Sequence, residues 1–170
     1  MESRVIQLTQ DVNRIECFSA FDLNVQEQNT AIVLAIEIIE RRFNSGMSLK
    51  SANDARNFLQ IKYAEFEHEI FTVIFLDQRH RVISIDELSQ GTIDGAAVYP
   101  REVVKASLKH NAAAVIFGHN HPSDVVEPSK SDERITAKLK EALALVDIEV
   151  LDHFVVGKEG VVSFAERGLI

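Results

Sequence analysis

Apolar residues recur along this chain in two rhythms, and the change between them divides it. From Gln26 to Phe43 the positions Ile32, Ala35, Ile36, Ile39 and Phe43 are spaced by three and four, which predicts one face of a helix, and "NSG" stops it. Ser51 is placed to cap a second helix on which Ala52, Ala55, Leu59 and Tyr63 share a face. Residues 1–50 therefore read as a small helical extension, and 51–170 as the domain that follows.

The rhythm shortens at "EIFTVIFLD" (69–77), where β-branched and aromatic residues crowd together. A strand is predicted there, a turn at "DQRH", a second strand at "RVISID", and a continuation of the sheet through "GTIDGAAVYP". Pro100 suits the first turn of a helix carrying Val103, Val104, Ala106 and Leu108. The apolar run "AAAVIFG" (112–118) is too short for a good helix and fits a buried strand, with His119 and His121 following its C-terminal end. Ile135, Leu139 and Leu143 mark a further helix, and "IEVLDHFVVG" and "VVSFA" are late strands. The order is α/β with mixed connections.

Composition narrows the chemistry. With 170 residues, 46% of them hydrophobic, the chain can bury a real core. It contains no apolar run near the roughly 20 residues of a membrane span, and "MESRVIQLTQDVNR" lacks the profile of a signal peptide, so a cytoplasmic protein with no membrane partner is expected. A single cysteine, Cys17, excludes an internal disulfide and sites needing several thiolates, zinc deaminases among them. A net charge of −8 argues against a broad phosphate-tracking surface, so nucleic acid is a weakly supported partner.

Any metal must then use histidine and carboxylate, and "GHNHPSDVVEPSKSD" (118–132) offers both. Alternate residues of an extended segment point the same way, so His119 and His121 can reach one ion. Asp132 could supply a third ligand, since Pro122 and Pro128 restrict the loop between. Two histidines, one carboxylate and an open position form the pattern of a catalytic zinc site. The base would come from "EFEHEIF": of Glu65, Glu67 and Glu69, the last begins a buried strand and is best placed to face inward. His68 and Glu69 are not a zincin helix, because the second histidine of H-E-x-x-H is missing. Ser129 and Asp132 have an ordinary alternative use as a helix-capping pair, and the two uses compete for the Asp132 oxygens.

These residues resemble the JAB/MPN metalloenzyme family, also called JAMM, in which a glutamate precedes H-x-H-P and a spaced serine and aspartate. "HEIFTVIFLD", "GTIDGAAVYPREVVKASLKHNAAAVIFGHNHPS" and "DIEVLDHFVVG" are similar to the RadC-type bacterial branch, a likeness running from about Ser51 to the C-terminus. The resemblance implies a mixed β-sheet flanked by helices, of the cytidine-deaminase-like kind. It also implies a Zn2+ ion held by His119, His121 and Asp132, Glu69 as general base and Ser129 as hydrogen-bond donor to the oxyanion. The implied activity is hydrolysis of a peptide or isopeptide bond in a protein or peptide substrate.

Two departures stand out. Asp124 replaces the glycine of the usual "HPSG", adding a charge beside the site and restricting its turn. Ahead of the domain, only "AIEIIERRF" resembles the closing helix of the helix-hairpin-helix region that longer members carry, so the DNA-binding part is expected to be absent. The rival reading is a non-catalytic binding module, or one associated with DNA repair. Arg101, Lys105 and Lys109 form one basic stripe and Lys130, Arg134 and Lys138 another, although a solvated helix face is the usual role of such stripes. His153, on a predicted strand, fits a core histidine or an outer partner of the metal site better than a fourth ligand.

Overall fold

The computed structural model describes residues 23–44, 52–64, 66–90, 98–123, 125–158 and 160–170. The expected cap at Ser51, the strand continuation over 91–97 and the substitution at Asp124 lie outside them. So do Cys17 and Glu65. The chain divides into two compact units, residues 1–35 and 36–170. Helix α1 (Val25–Asn44) begins in the first with a capping box: Asn24 Oδ1 accepts the Glu27 N–H at 3.0 Å and Glu27 Oε2 accepts the Asn24 N–H at 2.8 Å.

The second unit is built on five strands: β1 (Ile70–Leu76), β2 (Val82–Gln90), β3 (Ala114–Asn120), β4 (Glu149–Gly157) and β5 (Gly160–Ser163). Their order across the sheet is β2-β1-β3-β4-β5. Only β3 and β4 run parallel, and helix α4 (Lys130–Ala144) supplies the crossover that a parallel pair requires. The sheet is mixed and flanked by helices, the α/β arrangement that the resemblance implied.

Every residue of β1 and β3 is buried, because both faces of the sheet are covered. Alternation sorts their side chains. Ile70, Ile74, Ala114 and Ile116 pack with Phe58, Leu59 and Tyr63 of helix α2 (Ala52–Tyr63). Phe71, Val73, Phe75, Val115 and Phe117 face the other way, against Val103 of α3 (Pro100–Lys109) and Leu139 and Leu143 of α4. Gly118 lies on the α2 side, where a Cβ would sit 2.7 Å from Leu59 Cδ1 and 3.1 Å from the Tyr63 hydroxyl. Lacking a side chain there, β3 carries its next residue, His119, close under α2 but pointing toward α4.

Three expectations need adjustment. β3 extends two residues beyond the apolar run, so His119 lies inside the strand and only His121 follows it. Backbone pairing to the parallel neighbour drives this extension: His119 and Asn120 stand opposite Val155 and Val156, and even the His121 N–H reaches the Val156 carbonyl at 2.8 Å. Conversely β1 begins at Ile70, leaving Glu69 just ahead of it. Leu108 of α3 is exposed rather than part of the core.

Candidate metal centre

His119 and Asn120 end β3, His121 follows it directly, and Asp132 lies in the first turn of α4. The sheet supplies the alternation that sends both imidazoles to the α4 side, and the helix start presents the carboxylate to them. His119 Nε2 and His121 Nε2 are 3.0 Å apart, while Asp132 Oδ1 is 3.6 Å from the first and Oδ2 3.5 Å from the second. Ligand atoms around tetrahedral zinc, with bonds of about 2.0–2.1 Å, stand roughly 3.3 Å from one another. The three residues therefore fit the ion in both donor type and spacing. They form a group that could bind a metal among the described residues.

The remaining polar atoms of the group are held. His121 Nδ1 donates to the Val125 carbonyl at 2.6 Å, so the neutral ring presents a bare Nε2 to the site. That bond also folds the loop back over its own histidine. Glu127, further along, is tied by both oxygens to Arg167 at 2.7 Å. His119 Nδ1 lies 2.8 Å from Nε2 of His153, a fully buried residue of β4.

Capping and metal binding do not exclude one another at Asp132. Its Oδ2 accepts the Ser129 N–H at 2.7 Å, and the Ser129 hydroxyl accepts the Asp132 N–H at 3.1 Å, completing a capping box at the start of α4. Oδ1 takes no part in the cap, and each carboxylate oxygen has a second lone pair. Burial alone would raise the Asp132 carboxyl, but His119, His121 and Ser129 reverse this and hold it far below the usual carboxylate range. Asp132 raises His121 in turn, against the opposing effect of partial burial. His153 is pushed well below the ordinary histidine value, first by burial and then by the neighbouring His119.

A cleft of about 310 Å³ opens onto the group and is lined also by Glu69, Ser129, Phe71 and Ile135. Glu69 arrives there through a residue that sequence reasoning passed over. Asn120 Oδ1 accepts the Ile70 N–H at 2.8 Å, and its Nδ2 donates to the His68 carbonyl at 2.9 Å. These two bonds bracket Glu69 and fasten it beside the histidines. The only hint in the sequence was the buried amide placed between two ligands. Thr136 was missed as well; its hydroxyl contacts His153 at 2.7 Å, and nothing in local spacing pairs α4 with β4.

The class defined so far is an α/β domain with a His-His-Asp group at the end of its central strand. A sequence model of the "RadC-like JAB domain" matches residues 49–169, and the chain belongs to that family. Among curated proteins it is 58% identical over 134 residues to a UPF0758 protein of Vibrio cholerae, covering 79% of this chain and 84% of that one. A UPF0758 protein of Marinobacter nauticus is 55% identical over 140 residues, covering 82% and 62% of the two chains. One from Thioalkalivibrio sulfidiphilus is 60% identical over 125 residues, covering 74% and 56%. The chain thus spans little more than half of two of these relatives. No helix among the described residues is long and apolar enough to cross a membrane.

Proposed function

We propose that this protein is a zinc-dependent hydrolase of the JAMM type, cutting a peptide or isopeptide bond in a protein or peptide substrate. Residues 51–170 form its catalytic domain and residues 1–50 a helical extension. The observation that supports this reading best is the convergence of His119, His121 and Asp132 at zinc spacing in a cleft shared with Glu69.

His119, His121 and Asp132 would hold the zinc ion, which would supply Lewis acidity and lower the pKa of water there to about 7. Glu69, bracketed by the Asn120 side chain, takes a proton from the attacking water at its carboxylate and later delivers it to the nitrogen of the leaving amine. The Ser129 oxygen already accepts from the Asp132 N–H, so its own proton is available to the oxyanion that forms on the carbonyl carbon. Phe71 and Ile135 line the same cleft and place apolar surface beside the reacting atoms.

Elemental analysis of wild type beside His121→Ala and Asp132→Ala tests the metal, with about one zinc per chain expected in the first and none in the variants. Glu69→Gln is expected to keep zinc and lose cleavage of a peptide library; cleavage persisting in that variant would sink the mechanism. A second reading, a binding module without hydrolysis, draws on Arg101, Lys105, Lys109, Lys130, Arg134 and Lys138, all of them exposed. Salt-dependent affinity for nucleic acid that needs those residues and ignores Glu69 would favour it.

A further inference from the structure

Behind the metal group a line of buried hydrogen bonds runs from β3 through β4 to α4. His119 Nδ1 meets His153 Nε2 at 2.8 Å, His153 Nδ1 meets the Thr136 hydroxyl at 2.7 Å, and that hydroxyl meets the Asp132 carbonyl at 2.6 Å. The line begins on one candidate ligand and ends on the backbone of another.

Its direction follows from donor counting. A carbonyl oxygen can only accept, so the single Thr136 proton goes to Asp132, as is usual for a helical threonine bonding four residues back. Toward His153 the hydroxyl is then left with lone pairs alone, and Nδ1 of His153 must carry a proton. His153 is enclosed by the rings of Phe71, Phe117 and Phe164, with centroids 5.5, 5.7 and 4.7 Å away. The 2.8 Å contact between His153 Nε2 and His119 Nδ1 has room for one proton. A neutral imidazole with Nδ1 protonated has a bare Nε2, which accepts from His119 Nδ1. His119 is thereby left with a bare Nε2 facing His121 and Asp132.

We propose that Thr136 and His153 are positioning residues of the metal centre, forming a one-way hydrogen-bond chain that fixes the ligating tautomer and ring orientation of His119. The same chain ties His119 to the helix that carries Asp132, so the two ligands from distant segments are set together. Thr136 does not itself line the cleft; its one hydroxyl group reaches the ring of His153 and the backbone of Asp132. Only the final link, from His119 Nε2 to an ion, rests on the metal reading given above.

The test uses the full chain and zinc alone. Thr136→Val keeps the side-chain shape and removes the proton donor and acceptor, whereas Thr136→Ser restores both. Competition with a chromophoric chelator should show zinc affinity falling about 10–100-fold in Thr136→Val, the usual range for loss of an outer partner of a ligating histidine, and returning in Thr136→Ser. Long-range proton–nitrogen correlation spectra of metal-free wild type, labelled at histidine, should find His119 and His153 each protonated at Nδ1. Unchanged affinity in Thr136→Val, or either ring protonated at Nε2 in wild type, overturns the proposal. If wild type takes up no zinc, the metal reading fails while the spectrum still decides the chain's direction; if Thr136→Val does not fold, the wild-type spectrum again decides.

Discussion

Asn120 occupies the position between the two histidines, and alternation turns its side chain to the opposite face of β3, where it is buried and bonded to the backbone on either side of Glu69. Replacing it with alanine leaves a buried N–H and carbonyl short of partners, each omission costing about 1–3 kcal/mol. Asn120→Ala is therefore expected to lose stability in chemical denaturation and, because both ligand histidines remain, to retain zinc while losing cleavage. Loss of zinc in a still-folded variant would show that Asn120 acts on the ligands instead. The histidines themselves were legible in the sequence because a two-residue spacing at the end of an apolar run has a direct geometric meaning. Asn120 was not, since its partners lie about fifty positions away and only strand pairing brings them near. His153 was singled out as a core histidine or outer partner, but its meeting with Thr136 was not, since that depends on how a helix lies over a sheet.

Elements were legible where their pattern was strong: α4 by its spacing of four, β1 by its crowded β-branched and aromatic residues, and β3 by a run too short for a helix, and their interiors match the expected faces. Their ends were less so, because the sheet continues as long as a neighbour offers hydrogen bonds, and polar residues such as His119 are drawn into the ladder. The turn after β1 is another case where side chains decide a boundary. Asp77 Oδ1 accepts the N–H groups of Arg79 and Arg81 at 2.8 and 2.9 Å, and Oδ2 accepts from Arg81 Nε at 2.7 Å. The Arg81 backbone N–H first, and then its guanidinium, lower this carboxyl from 3.8 to about 2. A carboxyl lowered in the folded state stabilises the fold above its unfolded value, and that contribution disappears as pH falls through the folded one. Asp77→Asn should accordingly be less stable than wild type at neutral pH, with the difference shrinking between about pH 4 and pH 2. Denaturation midpoints across that range check it, and a difference that does not vary with pH would assign the effect to hydrogen-bond shape alone.

At the scale of the whole molecule, the candidate ligands come from two segments that the sheet and α4 must bring together, so a metal there is linked to folding. Binding to the folded state alone stabilises it by about 2.7 kcal/mol when free ion is a hundredfold above its dissociation constant. For a chain of this size that corresponds to a rise of roughly 5–10 °C in the unfolding midpoint. The shift should occur in wild type with excess zinc, vanish in His121→Ala and reverse with a chelator. Its pH dependence has a definite sign. Without metal, Asp132 raises the folded-state pKa of His121, so proton binding stabilises the fold at low pH and this contribution is lost as pH rises through the raised value. Zinc needs the same nitrogen unprotonated, so its contribution must grow over the pH range where the proton's fades. Scanning calorimetry from pH 6 to pH 8 should then find the zinc-induced shift increasing with pH, while the metal-free protein gains nothing from the His121 interaction over the same interval. A zinc shift that stayed constant across that range would mean that the ion binds without displacing a proton, and so at some place other than His121.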